Sequence, residues 1–357
     1  MAKKVVIVGG GVSGVATAYY LALKGITATL IDAVGIAPAA SGKAGGFLAL
    51  DWNDNGPMGP LARASFALHE DLAGTLPSNI DYRRLTCEAV AAVGGAKQKK
   101  LAAVEWADLG IVGSHAMGNE NTIAQVHPKK LTEALWSEAA RAGSELLVGT
   151  VEGVETARDA ATGQQRATGV RLADGRVESA DTVVLALGPW SPAWFGPLGL
   201  APMHGVKYHS VVMESARVLS QAVFFQGLGD PEVYPRPDRT VYVTGFPDEP
   251  AHVTERPGAV EVRVDVTRRL AESMSKVSSE LAGAPVVLEQ ACHLPCSPDG
   301  APVIGSVPRV DGAYVATGGG CWGILCGPAT GLCMAELIVD GRATSVDLSP
   351  YDPARFG

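Results

Sequence analysis

The chain lacks a long apolar run near its start. The first such run, Val5 to Val8, meets glycine after four residues and is too short for a signal-peptide core or a membrane span. That excludes export or anchoring through this segment, and a soluble, cytoplasmic protein without a membrane partner is expected. Basic residues are in the minority: 29 lysines and arginines face 37 acidic residues, for a net charge of −8 and a pI near 5.4. No Lys/Arg-rich stripe offsets this, so no field gathers phosphate backbones and nucleic acid is not expected as a partner. Cysteine is sparse. Cys87, Cys292, Cys296, Cys321, Cys326 and Cys333 are too few for a disulfide scaffold in a chain of this length and read as free thiols. Only His293, beside Cys292, stands within ligand spacing of a cysteine pair, so no metal site is expected. Repeat periods and low-complexity tracts are missing too, which excludes a solenoid.

What the chain does have is apolar content, 47% of 357 residues against 18% charged. That is enough to bury a full core and to divide into two lobes. Lys3 to Asp32 reads as strand, tight turn, helix and strand: VVIVGGG, VSGVATAYYLALKG, ITATLIDA. The Gly, Ala and Ser-rich stretch from Ala39 to Asn55 predicts a segment that wraps a ligand, followed by a helix over Pro60 to Leu76. Further on, a strand is expected over Glu88 to Val93, a helix over Pro128 to Ala142, a strand from Ser144 with a hairpin across Asp159 to Gly163, and a buried strand over Thr182 to Leu187. From Gly205 to Gly245 apolar and polar residues alternate in HSVVMES, AVFFQ, EVYPR and TVYVTGF, the pattern of an antiparallel sheet. A helix is expected from Asp265 to Leu281, after which VVLEQACHLP returns the chain to the first lobe.

Two glycine turns carry the chemistry. Gly9, Gly11 and Gly14, with Val12 and Ser13 between them, form G-x-G-x-x-G after a strand and at the head of a helix. In that setting Gly9 permits the tight turn, Gly11 lets a pyrophosphate approach the backbone, and Gly14 lets the helix sit on the sheet. Asp32, with Ala33 after it, ends the second strand eighteen residues past Gly14, where a carboxylate accepts hydrogen bonds from an adenosine ribose. The second turn, Gly318-Gly319-Gly320-Cys321-Trp322-Gly323, opens another helix. Its free N–H groups suit the pyrimidine edge of a reduced flavin, pointing to FAD rather than NAD; an ordinary loop before a surface helix is the alternative.

The stretches ASGKAGGFLALDW, ALGPWSP, YPRPDRTVYVTGF, CSPDGAPVIGSVP and ATGGGCWGILCGPATG, in this order, resemble the D-amino-acid oxidase and glycine oxidase family of flavoenzymes, especially its plant and fungal branch of FAD-dependent oxidoreductases. The resemblance runs from Lys4 to Phe356. It implies that Ser41, Gly42, Lys43, Ala44, Gly45 and Gly46 line the pyrophosphate and flavin, that Val151, Ala186, Leu187 and Gly188 hold the adenine side, that Trp190 is a further cofactor contact, and that Gly318, Gly320, Cys321, Trp322, Gly323 and Ile324 hold the isoalloxazine. Two positions depart from the family. Leu294 stands where glycine oxidase-like members place a carboxylate-gripping arginine, and Val243 where sarcosine oxidase-like members place an oxygen-activating lysine. Cys292 lies seven residues before Asp299, the spacing at which sarcosine oxidase-like members attach flavin covalently. Nothing beside it in sequence favours a thiolate, so non-covalent FAD is expected.

The implied fold is α/β: a discontinuous Rossmann-type FAD-binding lobe (residues 1–80, 128–200 and 290–357) with a second, antiparallel-sheet substrate lobe (81–127 and 201–289). Tyr208, Tyr234, Arg236 and Tyr242 come from the second lobe, with His293 and Trp322 near the flavin turns, as catalytic or substrate-contacting candidates. Arg236 reads either as a carboxylate anchor or as a solvated loop charge. His293 is either a base or a structural histidine, Trp322 either a substrate wall or a packing residue, and Lys43 either a phosphate contact or a surface lysine. On a strand, Lys207 and His209 share one face and Tyr208 takes the other. The expected activity is removal of hydride from a C–N bond of a small amine or amino acid, with electrons passing to oxygen or another acceptor. A 2-hydroxy-acid dehydrogenase with His293 as base, and a protein-binding module with structural FAD, are the alternatives.

Overall fold

The computed structural model describes residues 3–97, 104–160, 163–191, 193–194, 198, 200, 203–246, 250–251, 253 and 256–356. VVIV at Val5–Val8 forms a strand with every side chain buried, the signature of a strand covered on both faces. It lies inside a six-stranded sheet in the order 303–306, 313–317, 182–185, 5–8, 28–32, 145–148. All neighbours are parallel except Val303–Ser306, which closes one edge antiparallel. Helices α1 (Val12–Leu23), α2 (Ala40–Lys43), α3 (Gly59–Thr75), α4 (Pro128–Arg141), α5 (Val264–Val277) and α6 (Gly323–Asp340) complete the framework.

Alternate residues of the parallel strands face opposite layers. Val5, Ile7, Leu30 and Val184 pack under α1, α3, α4 and α6. Val6, Val8, Ile31 and Val183 pack instead on a small sheet through Ala167, Val170 and Leu172, whose strands Val151–Arg158 and Gln165–Leu172 pair antiparallel. The tip of the expected hairpin, residues 161 and 162, lies outside the described residues. Helices α1 and α6 cross closely because α6 offers glycine at the contact: a Cβ on Gly331 would lie 2.4 Å from the Ala16 carbonyl carbon, and one on Gly327 2.6 Å from Val12 Cγ2. Helix α6 has the length and apolarity of a membrane span, yet it is a core helix packed on α1 and α3.

The second lobe is an eight-stranded sheet. Strand 204–214 pairs on one side with 286–296 and on the other with 240–245, followed in order by 232–235, 221–226, 86–97 and 109–118; strand 250–251 also pairs with 204–214. One face packs under α5, where Val266, Leu270, Met274 and Val277 form an apolar stripe against Val211, Val223, Val233, Val241 and Val243. The other face carries Val212, Ala222, Tyr234 and Tyr242 toward Phe47 and Ala49.

Three details differ from expectation. The sheet holds one parallel pair, 221–226 beside 86–97, because the two strands are joined by a long connection rather than by a hairpin. Strand 86–97 is also longer than the expected 88–93. The strand Val286–Cys296 stays in the second sheet along its whole length, paired with 204–214 from Met213 to His204; the expected division at residue 290 falls in its middle.

Candidate functional site

The N-terminal turn is built by steric exclusion. Gly9 has φ +117°, and a Cβ there would sit 2.2 Å from the Ala186 carbonyl oxygen; on Gly14 it would sit 2.1 Å from the Gly9 oxygen. At Gly11 the backbone is ordinary extended chain, φ −77°, and a Cβ would meet only Ser41 Oγ at 3.2 Å. Gly9 and Gly14 therefore serve the fold, whereas Gly11 leaves space. Ser41 Oγ accepts from Val12 N at 2.9 Å. Asp32 organises the next turn. Its Oδ2 accepts from Gly10 N at 2.8 Å, and its Oδ1 accepts from Val34 N at 2.8 Å and Gly35 N at 2.9 Å.

A cleft of about 300 Å³ joins this turn to the second one. Of the sequence candidates it is lined by Gly9, Gly11, Val12, Ser13, Asp32, Ala33, Ser41, Ala44, Val151, Ala186, Leu187, Gly188, Trp190, Gly318, Gly320, Cys321, Gly323 and Ile324. Gly14, Gly42, Lys43, Gly45, Gly46 and Trp322 do not line it. Gly42 closes against the Ala37 oxygen, Gly45 against the rings of Tyr234 and Tyr242, and Gly46 against the Val126 oxygen. Lys43 is partly buried, and its Nζ donates to the Ala291 oxygen at 3.0 Å, tying α2 to strand 286–296. Thr150, Pro38, Trp194, Leu294, Pro302, Thr317 and Thr330 also line the cleft, though they lie outside the two glycine motifs. Thr150 was legible, since it follows a parallel strand at the carboxyl edge, where open α/β sheets bind ligands. Among the described residues no group of His, Cys, Asp or Glu side chains could hold a metal ion.

The second turn rests on two side chains of α3. Pro328 lies inside α6 and has no N–H, so the Ile324 carbonyl one turn earlier loses its helical donor. His69 Nε2 lies 3.0 Å from that oxygen and 3.1 Å from the Leu325 oxygen. Carbonyls only accept, so Nε2 carries the proton. One turn before His69, Ser65 Oγ accepts from Ala329 N at 3.0 Å. Burial holds the His69 imidazole neutral, with a pKa lowered to about 4. No sequence signal singles out either residue.

On the cleft-facing side of the second sheet, Tyr234 stacks on Tyr242 with centroids 5.9 Å apart and on Phe47 at 5.3 Å. Arg236 is buried rather than solvated, 7% exposed. Its Nη2 donates to the Ala44 oxygen at 3.2 Å and its guanidinium lies 5.5 Å from the Tyr242 ring centre; it does not line the cleft. Tyr208 stands opposite Cys292 and Lys207 opposite His293. Leu294 reaches the cleft, so Cys292 and Tyr208 share its face while His293, Lys207 and His209 point the other way. Of the two readings of His293, its place among the catalytic candidates is thereby corrected and the structural one stands: strand alternation turns it to the back of the sheet, against Gly205. Val243 likewise lies in the core under α5.

A model of the family described as FAD dependent oxidoreductase (DAO) matches residues 4–337. The chain belongs to this family. A protein of Schizosaccharomyces pombe that bears an oxidoreductase name is 33% identical, with 98% of each chain aligned. The glycine oxidase of Pseudomonas putida is 29% identical over 99% of each chain. Glycine oxidase from Geobacillus kaustophilus shares the fold at a TM-score of 0.81 and 23% identity, covering 99% of both chains. L-proline dehydrogenase from P. horikoshii does so at 0.80 and 19%, covering 99% of this chain and 98% of that one. The protein is thus an FAD-dependent oxidoreductase related to amino-acid oxidases.

In this oxidoreductase the cysteines near the site are neutral thiols. Burial pushes Cys292 up to about 11 against the opposing pull of Lys43. Cys321 is an exposed residue, but desolvation of its thiol, and then the Glu232 carboxylate, push it up to about 11. Trp322 joins an aromatic group, its ring 6.1 Å from that of Trp52 and edge-on to it.

Proposed function

We propose that FAD is held in the cleft and that the enzyme removes hydride from the C–N bond of a small amine or amino acid. The observation that carries this reading is the continuity of one cleft from the Gly9–Gly14 turn to the Gly318–Gly323 turn. The residues fit the cofactor: Gly11 has free space where a side chain would intrude, and the amino end of α1 offers partial positive charge for a diphosphate. Gly9, Gly11, Val12, Ser13 and Ser41 would hold that diphosphate. Asp32, Ala33, Val151, Ala186, Leu187 and Gly188 would hold the adenosine side, and Gly318, Gly320, Cys321, Gly323 and Ile324 the ring. When bound, the flavin supplies the acceptor for the hydride.

The chain's own residues align the substrate and exclude water. Leu294 walls the site from the second sheet, with Tyr208 on the same face of that sheet, and α6 presents its first-turn N–H groups toward the cleft, where they favour negative charge. The amine reading is supported by the glycine oxidase relative in Pseudomonas putida and by the orientation of His293, which leaves the hydroxy-acid alternative without its base. The neutral, buried thiol of Cys292 supports non-covalent FAD. Steady-state oxidation rates with amines and amino acids against 2-hydroxy acids test the reading. Turnover of amines is expected; turnover confined to hydroxy acids would overturn it.

A further inference from the structure

We propose that Glu232, with Phe224 beside it and the rings of Trp52 and Trp322 following on from Phe224, forms a binding site for the cationic head of the substrate, so that the enzyme selects an organic cation by its positive charge rather than by a carboxylate. The proposal rests on the amine reading above and names the charge class of the amine: the head binds as the cation, its N–H proton passes to the Glu232 carboxylate, and hydride then leaves the carbon of the neutral amine to give the iminium.

Glu232 opens the strand Glu232–Pro235. Its register neighbours are Phe224 on one side and Thr244 on the other, which sets it on the same face as Tyr234 and Tyr242, toward the cleft rather than toward α5. The Tyr234 hydroxyl donates a hydrogen bond to Glu232 Oε2, fixing the carboxylate. Trp52, Phe224 and Trp322 are only partly buried. The Trp52 ring lies 5.2 Å from Phe224 and 6.1 Å from Trp322, and Phe224 lies 5.7 Å from Tyr234. Aromatic faces beside one carboxylate are the elements that recognise an organic cation.

The charge balance points the same way. Among the described residues no lysine, arginine or histidine forms an ion pair with Glu232. The groups that feel its charge are Tyr234, Tyr208, Cys321 and Cys87, all raised and therefore neutral near pH 7. Burial raises the Glu232 carboxyl above its ordinary value against the opposing Tyr234 hydrogen bond, and a half-buried carboxylate with only neutral neighbours is a costly arrangement that a bound cation relieves. The nearby cations are committed elsewhere, Arg236 to the Ala44 oxygen and Lys43 to the Ala291 oxygen. The cleft end of strand 286–296 presents Leu294, which offers nothing to an anion.

Benzamidinium and benzoate are nearly isosteric, opposite in charge and inert to hydride removal, so they test the site without turnover. Calorimetric titration of the FAD-loaded wild-type enzyme at pH 8 should show benzamidinium binding and benzoate binding at least tenfold more weakly. Glu232→Gln should weaken benzamidinium at least tenfold, with bound FAD unchanged. Benzoate binding as tightly as benzamidinium to the wild type overturns the proposal without any variant, and so does an unchanged benzamidinium affinity in Glu232→Gln. Failure of the amine reading is seen separately: benzamidinium binds through Glu232, yet no amine is turned over.

Discussion

His69 Nε2 lies 3.0 Å from the carbonyl oxygen of Ile324, the acceptor that Pro328 leaves without a helical amide. Together with Ser65 it replaces, from α3, the bonds that proline removes from the first turn of α6.

Replacing His69 by alanine leaves a buried carbonyl unpaired, at a cost of about 1–3 kcal/mol. Chemical denaturation of the apoprotein should register that loss, and FAD affinity should fall with it. Stability should also depend on pH through this residue. Its folded pKa of about 4 lies below the unfolded value near 6.5, so the unfolded chain binds the proton more readily between those values. The contribution is fully present above about pH 6.5 and is lost as pH falls toward 4. His127, lowered to about 4 mainly by burial, acts in the same window. Stability measured at pH 7.5 and pH 5 should therefore differ less in His69→Gln than in the wild type.

Gly9 and Gly11 should separate fold from cofactor. Gly9→Ala forces a side chain onto φ +117° and into the Ala186 oxygen, so the apoprotein loses stability. Gly11→Val sits on ordinary backbone and should fold, yet carry no flavin. Absorbance of the purified variants gives the FAD content, and a yellow Gly11→Val protein with full flavin would remove the diphosphate from this turn.

Asp32→Ala should cost both binding and stability, since the carboxylate holds the amides of Gly10, Val34 and Gly35. The expected destabilisation is about 1–3 kcal/mol, with substrate preference unchanged because Asp32 is bonded into the turn after the second strand, whereas Leu294 comes from the second sheet. Titrating FAD into the apoprotein reads the first effect and thermal melting the second.

The flavin should leave the protein on acid denaturation. Cys292 is buried and its thiol pushed up to about 11, so it lacks the thiolate that attachment needs. A yellow supernatant after precipitation is the expected result. A fluorescent band on a denaturing gel that disappears in Cys292→Ser is the contrary one.

The parts legible in the sequence were those written in local pattern. Continuous apolar residues in VVIV and glycines at fixed spacing marked the first βαβ unit, and AYVATGGG followed by a long apolar helix marked the second turn. What stayed hidden depends on partners distant in the chain. The support of Ile324 by His69 joins residues 255 positions apart, and no local rule couples a proline in one helix to a histidine in another. Arg236 looked like a loop charge between two prolines, but its strand carries it inward beneath Ala44. Glu232 was within reach of local pattern: the alternation in EVYPR puts residues 232, 234 and 236 on one face, but an acid at a strand start is ordinary on a solvated edge and carries no signal by itself. His293 failed for the converse reason, since the alternation that aims Cys292 and Leu294 toward the cleft turns the residue between them away.

The central claim is that this cleft holds FAD and takes hydride from carbon bound to nitrogen. Mixing the FAD-loaded protein anaerobically with amines, amino acids and 2-hydroxy acids, and following the visible flavin absorbance, tests it most directly. Bleaching by at least one amine or amino acid and by no hydroxy acid is predicted; bleaching by hydroxy acids alone, or by none of the three classes, would contradict it.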